Sequence, residues 1–340
     1  MAVDSAGSAE TAASTWHARL HPTRLRKRAG ALAVDAFFNG IARAGKLHPH
    51  ASPARHGVEV LRDIPYRPGG ERAHLLDVWR PITPGAVPRP TVLYVHGGGF
   101  RILSKDTHWL MALAFARRGW QVVTVNYRLA PQHRFPAAIE DVCAALVWMG
   151  QHAGEYQIDL NHLIFAGESA GGNLVTSLAL ATSVRLDEPF ARAVFDAGLR
   201  PRAVLPACAV LQVSDPHRIR RRKPRMTQLT EDRLVEVSEA YLGPTPPSDR
   251  TLADPLLFLE SDAATDRPLP PFFAGVGTAD PLLDDSRRLK AALDRRQVVC
   301  EVRYYPKEIH AFHAMVFRAQ ARQFWVDQFA FLAHNGLTAR

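Results

Sequence analysis

The run Gly167-Glu168-Ser169-Ala170-Gly171-Gly172 carries the strongest chemical signal in this 340-residue chain. An apolar strand pattern, Leu163 to Ala166, leads into it, and a helical pattern beginning near Ala170 leads away. A serine hydroxyl is a poor nucleophile until a sharp strand-to-helix turn exposes it and a base removes its proton. Gly167 and Gly171 relieve the crowding at such a turn, and the helix start brings amide dipoles to its mouth. A second signal, His96-Gly97-Gly98-Gly99-Phe100, follows the apolar run that ends at Val95. Three glycines leave backbone amides uncovered there. Acyl transfer builds negative charge on a carbonyl oxygen, and each preorganised N–H donor at that point contributes about 10²–10³ in rate. Gly98 and Gly99 are the expected donors, with Ala170 the third. A phosphate cradle would need a G-x-x-x-x-G-K run or a dinucleotide fingerprint, and neither is present. His96 reads as a loop-anchoring, hydrogen-bonding residue because it falls on the oxyanion side.

The elements around these runs follow one rhythm. Gly57 to Tyr66 and Glu71 to Arg80 read as strands of a hairpin about the turn Pro68-Gly69-Gly70. After a proline-rich connection, Pro81 to Pro90, Thr91 to Val95 is a short continuous apolar run of the kind buried on both faces of a sheet. Strand patterns at Gln121 to Asn126, Leu163 to Ala166, Ala203 to Val213, Phe272 to Val276 and Val298 to Tyr304 then alternate with helical ones. The helices are expected at Pro136 to Met149, Ala170 to Val184, Asp285 to Arg296 and Phe312 to His334. This predicts an α/β fold with a mostly parallel sheet opened by the antiparallel hairpin. Between Ser214 and Pro247 the rhythm breaks into a basic loop and one helix, Glu231 to Tyr241, too long for an ordinary crossover and read as part of a lid.

Composition sets bounds on the function. With 47% hydrophobic and 22% charged residues, the chain can bury a sizeable core. The net charge of +9 is held in two stretches without an acid, Arg19 to Arg28 and Arg218 to Arg225. No basic groove spans a domain and no nucleic-acid-reading motif accompanies the charge, so nucleic acid is not an expected partner; each cluster reads as a solvated face, with attraction of an anionic substrate or membrane as the sharper alternative. No apolar run is long enough for a membrane span. Ala33, Ala36, Phe37, Gly40 and Ile41 recur at helical spacing and predict an amphipathic helix on the protein's own surface, with peripheral membrane contact the disfavoured alternative. The first fifteen residues read as a frayed tail. Cys143, Cys208 and Cys300 lack paired spacing and read as reduced core thiols, which points to the cytoplasm.

Together with a third block, Tyr127-Arg128-Leu129-Ala130-Pro131-Gln132-His133-Arg134-Phe135-Pro136-Ala137-Ala138, the two glycine runs make the chain resemble the hormone-sensitive-lipase-like group of α/β-hydrolases, over roughly Val58 to Phe331. The resemblance implies an α/β-hydrolase fold, with a mostly parallel eight-stranded sheet flanked by helices and a helical cap. It implies a serine, an acid and a histidine in that chain order. Asp280, in the turn beyond Phe272 to Val276, is the expected acid, because α/β sites gather their residues just past the strands. Asp284 and Asp285 are its local competitors, otherwise explained as helix-start acids. His310 matches the family position for the base, while His313 lacks a third ligand nearby and is read as a solvated or hydrogen-bonded residue, so no metal is implied.

Three positions depart from the family pattern: Glu168 where aspartate is common, Gln132 for a frequent glutamate, and Ala311 where glycine usually follows the histidine. The implied organisation is tail and cap helices over 1–56, core over 57–213 and 251–340, and a cap insertion over 214–250. The implied activity is serine carboxylic-ester hydrolysis of short- to medium-chain acyl esters, without a cofactor, by a monomer or homodimer. An amidase or deacetylase of a small secondary metabolite using the same residues, and a non-catalytic small-ligand receptor, are the alternatives.

Overall fold

Apolar residues follow one another without polar interruption along the predicted central strands, which only a sheet covered on both faces can bury. A computed structural model describes residues 22–82, 88–245 and 248–339. Its strands β1 (Val58–Pro65), β2 (Leu75–Pro81), β3 (Arg89–Val95), β4 (Gln121–Val125), β5 (Ile158–Glu168), β6 (Ala203–Ala207), β7 (Phe272–Gly277) and β8 (Cys300–Tyr305) form one sheet in the order β1-β2-β4-β3-β5-β6-β7-β8. β2 pairs antiparallel with β1 and β4, and every other pairing is parallel.

Successive residues of a strand point to opposite faces, and the two cores divide accordingly. Leu93, Val95, Leu163 and Phe165 join the core under helices α3 (Ala137–Gln151), α4 (Ala170–Ser183) and α9 (Leu283–Arg295). Val92, Tyr94, Ile164 and Ala166 join the core under α2 (Trp109–Ala116) and α10 (Ala319–His334). The remaining helices are α1 (Pro22–Lys46), α5 (Pro189–Asp196), α6 (His217–Arg222), α7 (Gln228–Leu242) and α8 (Pro255–Glu260), besides the single turn Ala153–Tyr156. No helix among the described residues is long and apolar enough to cross a membrane.

The strand order reverses at β3, which lies between β4 and β5. In open α/β sheets, the crevice beyond the carboxyl ends at such a switch point is where ligands bind. Here Val95, the last residue of β3, is in register with Gly167 near the end of β5, so the loops that leave these strands run side by side. β6, β7 and β8 end at the same edge.

Several expected elements differ in detail. The strand predicted over Ala203 to Val213 stops at Ala207. The helix expected over Phe312 to His334 splits into a 3₁₀ turn, Phe312–Ala314, and α10. The basic stretch read as a loop forms α6, and it is not a uniformly solvated face: Arg218 is buried in a two-pronged ion pair with Asp285 (2.6 and 2.5 Å), and Arg222 reaches Asp284 at 3.2 Å. A helix does form over Ala33 to Ile41, but its apolar stripe faces outward, with Phe37 60% and Ile41 53% exposed. α1 instead meets the core along Ala42 and Gly45: the Trp109 indole N–H donates to the Ala42 carbonyl at 3.1 Å, and the ring lies against Gly45. Small residues permit that close approach and leave the bulky ones on the far side. The tail over 1–15, the part of the first basic stretch before Pro22, and residues 83–87 of the proline-rich connection lie outside the described residues, as do the side chains of Arg24, Arg26, Lys27 and Arg28.

Candidate active site

Ser169 caps the turn between β5 and α4 with φ 53° and ψ −116°, a conformation that L residues rarely hold. The neighbouring chain fixes it there. Its N–H donates to the Ala207 carbonyl (3.0 Å), and its carbonyl accepts from Asn173 (3.1 Å) and Val210 (3.3 Å). The Asn173 side-chain amide in turn donates to the carbonyls of Val210 (2.8 Å) and Ala253 (2.9 Å).

The loop after β8 brings His310 to this turn. The Ser169 hydroxyl donates to His310 Nε2 at 3.0 Å, and His310 Nδ1–H donates to Asp280 Oδ2 at 2.9 Å. Asp280, three residues beyond β7, is fully buried, and its other oxygen accepts the Leu282 N–H at 2.8 Å. Burial alone would keep the His310 ring neutral, but the Asp280 carboxylate beside it raises its pKa well above the usual 6.5. The competing acids are engaged elsewhere: Asp284 with Arg222, and Asp285 with Arg218 and the Leu211 N–H. Ala311, where the family usually has glycine, is held at φ 56° next to His310.

The glycine loop after β3 lies against the elbow, with Gly97 packed on the Glu168 carbonyl. Gly98 has φ +112°, and a side chain there would meet the Ile102 carbonyl oxygen at 2.1 Å. The amides of Gly98 and Gly99 have no acceptor among the described residues, and Ala170 N–H belongs to the first turn of α4, where helices leave donors unpaired. His96 turns away from this cradle. Its Nδ1–H donates to the Gly97 carbonyl (2.7 Å), its ring stacks on Tyr127, and burial, aided by His108, pushes its pKa down to about 3. Helix α7 reaches the same loop: Glu236 pairs with Arg101 (2.7 Å), and Tyr241 stacks on Phe100 with ring centroids 3.7 Å apart.

Beneath the elbow lies a polar group that the residue types did not disclose. The buried Glu168 carboxylate accepts from His108 Nε2 (2.9 Å) and from His313 Nε2 (2.5 Å), tying the elbow both to the segment after the glycine loop and to the loop that carries His310. The expectation of a solvated His313 is therefore corrected toward its hydrogen-bonded alternative, with the ring 2% exposed. Nothing in the spacing of Glu168, His108 and His313 signals this meeting. Cys208, read from the sequence as a core thiol inside a longer strand, stands one residue past the observed end of β6, at the edge where such sites collect.

This ion pair gives a pH signature. Burial would push the Glu168 carboxyl up, yet the imidazoles of His313 and His108 hold it well below the usual 4.5; burial would push His313 down, yet Glu168 raises it above the usual 6.5. The stabilisation from a lowered carboxyl is complete above pH 4.5 and fades as pH falls below it, while that from a raised imidazole is complete below pH 6.5 and fades as pH rises. Glu168→Gln, which keeps the shape and deletes the charge, is expected to cost about 1.5–3 kcal/mol, the worth of hydrogen bonds to a charged group. The loss should be greatest between pH 4.5 and 6.5. Denaturant unfolding of both proteins across pH checks this, and a pH-independent difference contradicts the charged pair.

Comparison with known proteins agrees with the architecture. A family model of the α/β-hydrolase fold matches residues 92–314. An acetyl esterase of Salmonella typhi is 33% identical over 231 residues, covering 68% of this chain and 67% of that protein. Among solved structures, the esterase LipW from Mycobacterium marinum superposes with a TM-score of 0.70 at 26% identity, with 90% of both chains covered. A Pyrobaculum calidifontis esterase gives 0.69 at 23% identity, over 91% of this chain and 94% of that one, and at that identity the likeness speaks for the fold alone. The chain belongs to the hormone-sensitive-lipase-like α/β-hydrolases and is a hydrolase of ester bonds.

Proposed function

We propose that the protein is a serine carboxylic-ester hydrolase for short- to medium-chain acyl esters, working through an acyl-enzyme. Ser169 Oγ attacks the ester carbonyl while His310 Nε2 takes its proton. Asp280 orients the ring and stabilises the imidazolium without accepting the proton itself. The amides of Gly98, Gly99 and Ala170 hold the oxyanion, His310 returns the proton to the departing alkoxide, and a water activated by the same ring releases the acid. The observation that carries this reading is the pair of hydrogen bonds that runs from Ser169 through His310 to Asp280 at 3.0 and 2.9 Å.

Residues 1–56 and 214–250 are read as the cap, and 57–213 with 251–340 as the core. The name of the Salmonella relative, acetyl esterase, points to the short end of this range of acyl groups. The absence of any disulfide among the three free cysteines fits a reducing compartment such as the cytoplasm.

Fluorophosphonate labelling followed by peptide mapping tests the nucleophile: the label is expected on Ser169, and a label on any other residue overturns the assignment. A series of p-nitrophenyl esters tests the substrate range, with kcat/KM expected to fall about tenfold or more from butyrate to laurate, as pockets that discriminate methylene groups do. Faster turnover of the matching anilides than of the esters would transfer the reading to an amidase.

A further inference from the structure

Cys208 is a buried thiol next to the His310 imidazole, and nothing in the ester-hydrolysis mechanism uses it. It stands at φ +37° just past β6, and its N–H donates to the Gly275 carbonyl at 3.0 Å, so the backbone aims its side chain rigidly. Its sulfur, a carboxylate oxygen of Asp280 and a ring nitrogen of His310 all lie within 4.8 Å of one another. A fourth donor borders the group. His313 gives Nε2 to Glu168, and its Nδ1 is buried without a hydrogen-bond partner. That ring also interacts with the Cys208 thiol. In the sequence the two histidines had no third ligand in reach; the fold brings one from a hundred residues upstream.

We propose that Cys208, His310 and Asp280, with His313 at their side, form a site for a borderline-soft divalent cation, Zn²⁺ or its analogue Cd²⁺, whose binding reversibly switches the esterase off. A thiolate, imidazoles and one carboxylate make a donor set that favours zinc over the oxygen-seeking Mg²⁺ and Ca²⁺. The bond lengths of a tetrahedral zinc separate its sulfur, nitrogen and oxygen ligands by about 3.4–3.6 Å, so closing this triangle asks for side-chain shifts of about 1 Å. The His310 side chain is one-third exposed and gives the ion its way in.

Coordination through either nitrogen disables the ring as a base. At Nε2 the metal occupies the lone pair that would accept the Ser169 proton. At Nδ1 it displaces the proton shared with Asp280, and the neutral tautomer then keeps its remaining proton on Nε2. The inhibition therefore rests on the reading of His310 as the base, whereas the binding does not.

The test separates the two. The wild-type protein and its Ser169→Ala, Cys208→Ser and His310→Ala variants are titrated with Cd²⁺, following the thiolate-to-metal absorption band, and esterase activity of the wild type is measured with Zn²⁺ before and after chelation by EDTA. The wild type and Ser169→Ala are expected to bind one Cd²⁺ with the band, and zinc is expected to abolish activity until EDTA restores it. His310→Ala should bind about 100-fold more weakly or worse, since even outer-shell partners of a metal are worth about 10–100-fold, and Cys208→Ser should lose the band. A band that survives in Cys208→Ser, or binding unchanged in His310→Ala, overturns the site; the second variant alters a loop residue and decides the question even if substitution of the buried thiol disturbs folding. Metal bound through Cys208 and His310 with an undiminished rate would leave the site standing and overturn the assignment of His310 as the base.

Discussion

Ser169→Ala is expected to lower kcat by about 10⁶-fold on a short p-nitrophenyl ester, with His310→Ala losing nearly as much and the double variant no more than either alone. The non-additivity is the informative part. In the proposed mechanism the serine is nucleophilic only while Nε2 stands 3.0 Å from its oxygen, so removing one partner already removes the function of the other. What should survive is the work assigned above to the Gly98, Gly99 and Ala170 amides and to substrate binding, about 10³–10⁴ over water in enzymes of this kind. KM should move little, because the lost interaction belongs to the transition state. Steady-state kinetics of the two single variants and the double variant check this. Losses that multiply in the double variant would mean that the serine and the histidine act independently, which the proposed proton transfer does not permit.

Gly171→Ala carries the largest expected effect on the fold. A Cβ at this position would lie 2.1 Å from the Val95 carbonyl oxygen and 2.6 Å from that of His96. Both are backbone atoms at the end of β3, and moving them breaks the β3–β5 pairing in which Val95 faces Gly167. No side-chain rotation relieves the clash. A loss on the order of 4–5 kcal/mol, the range reserved for severe core disruption, is therefore expected, seen as a large fall in Tm or as insoluble protein. Gly40→Ala is the control. It lies inside α1 with nothing within 4 Å of the added methyl, and helix propensity makes it neutral to stabilising by up to about 1 kcal/mol. Equal effects from the two substitutions would show that the elbow tolerates a side chain after all.

The fold was legible because its main signals are local. The apolar runs at Thr91 to Val95 and Leu163 to Ala166 mark strands buried on both faces, and both appear as β3 and within β5. Gly98 and Gly171 stand where the backbone passes close to other backbone, and a Cβ added at either would lie 2.1 Å from a carbonyl oxygen. Boundaries were less readable. The residues after Ala207 remain apolar because they line the site region and the core, not because they continue a strand. The stripe from Ala33 to Ile41 misled in orientation: periodicity reports that a helix has an apolar side, and only the fit of Ala42 and Gly45 to Trp109 decides which side meets the protein.

The candidate site divides along the same line. Chain order and glycine spacing, read with the family pattern, named Ser169, Asp280 and His310 as candidates, and the structure brings their side chains into hydrogen-bond contact; the sharp turn at Ser169 and the glycines after Val95 were readable because a turn and a close backbone approach write themselves into adjacent residues. The partners of Glu168, the thiol of Cys208 beside the imidazole, and the Arg218–Asp285 clamp that anchors α6 to the start of α9 are absent from any local pattern. Each joins residues separated by 60 or more positions in the chain. A buried charge is tolerable only beside its counter-charge, and which counter-charge stands there is settled by how the strands are ordered in the sheet.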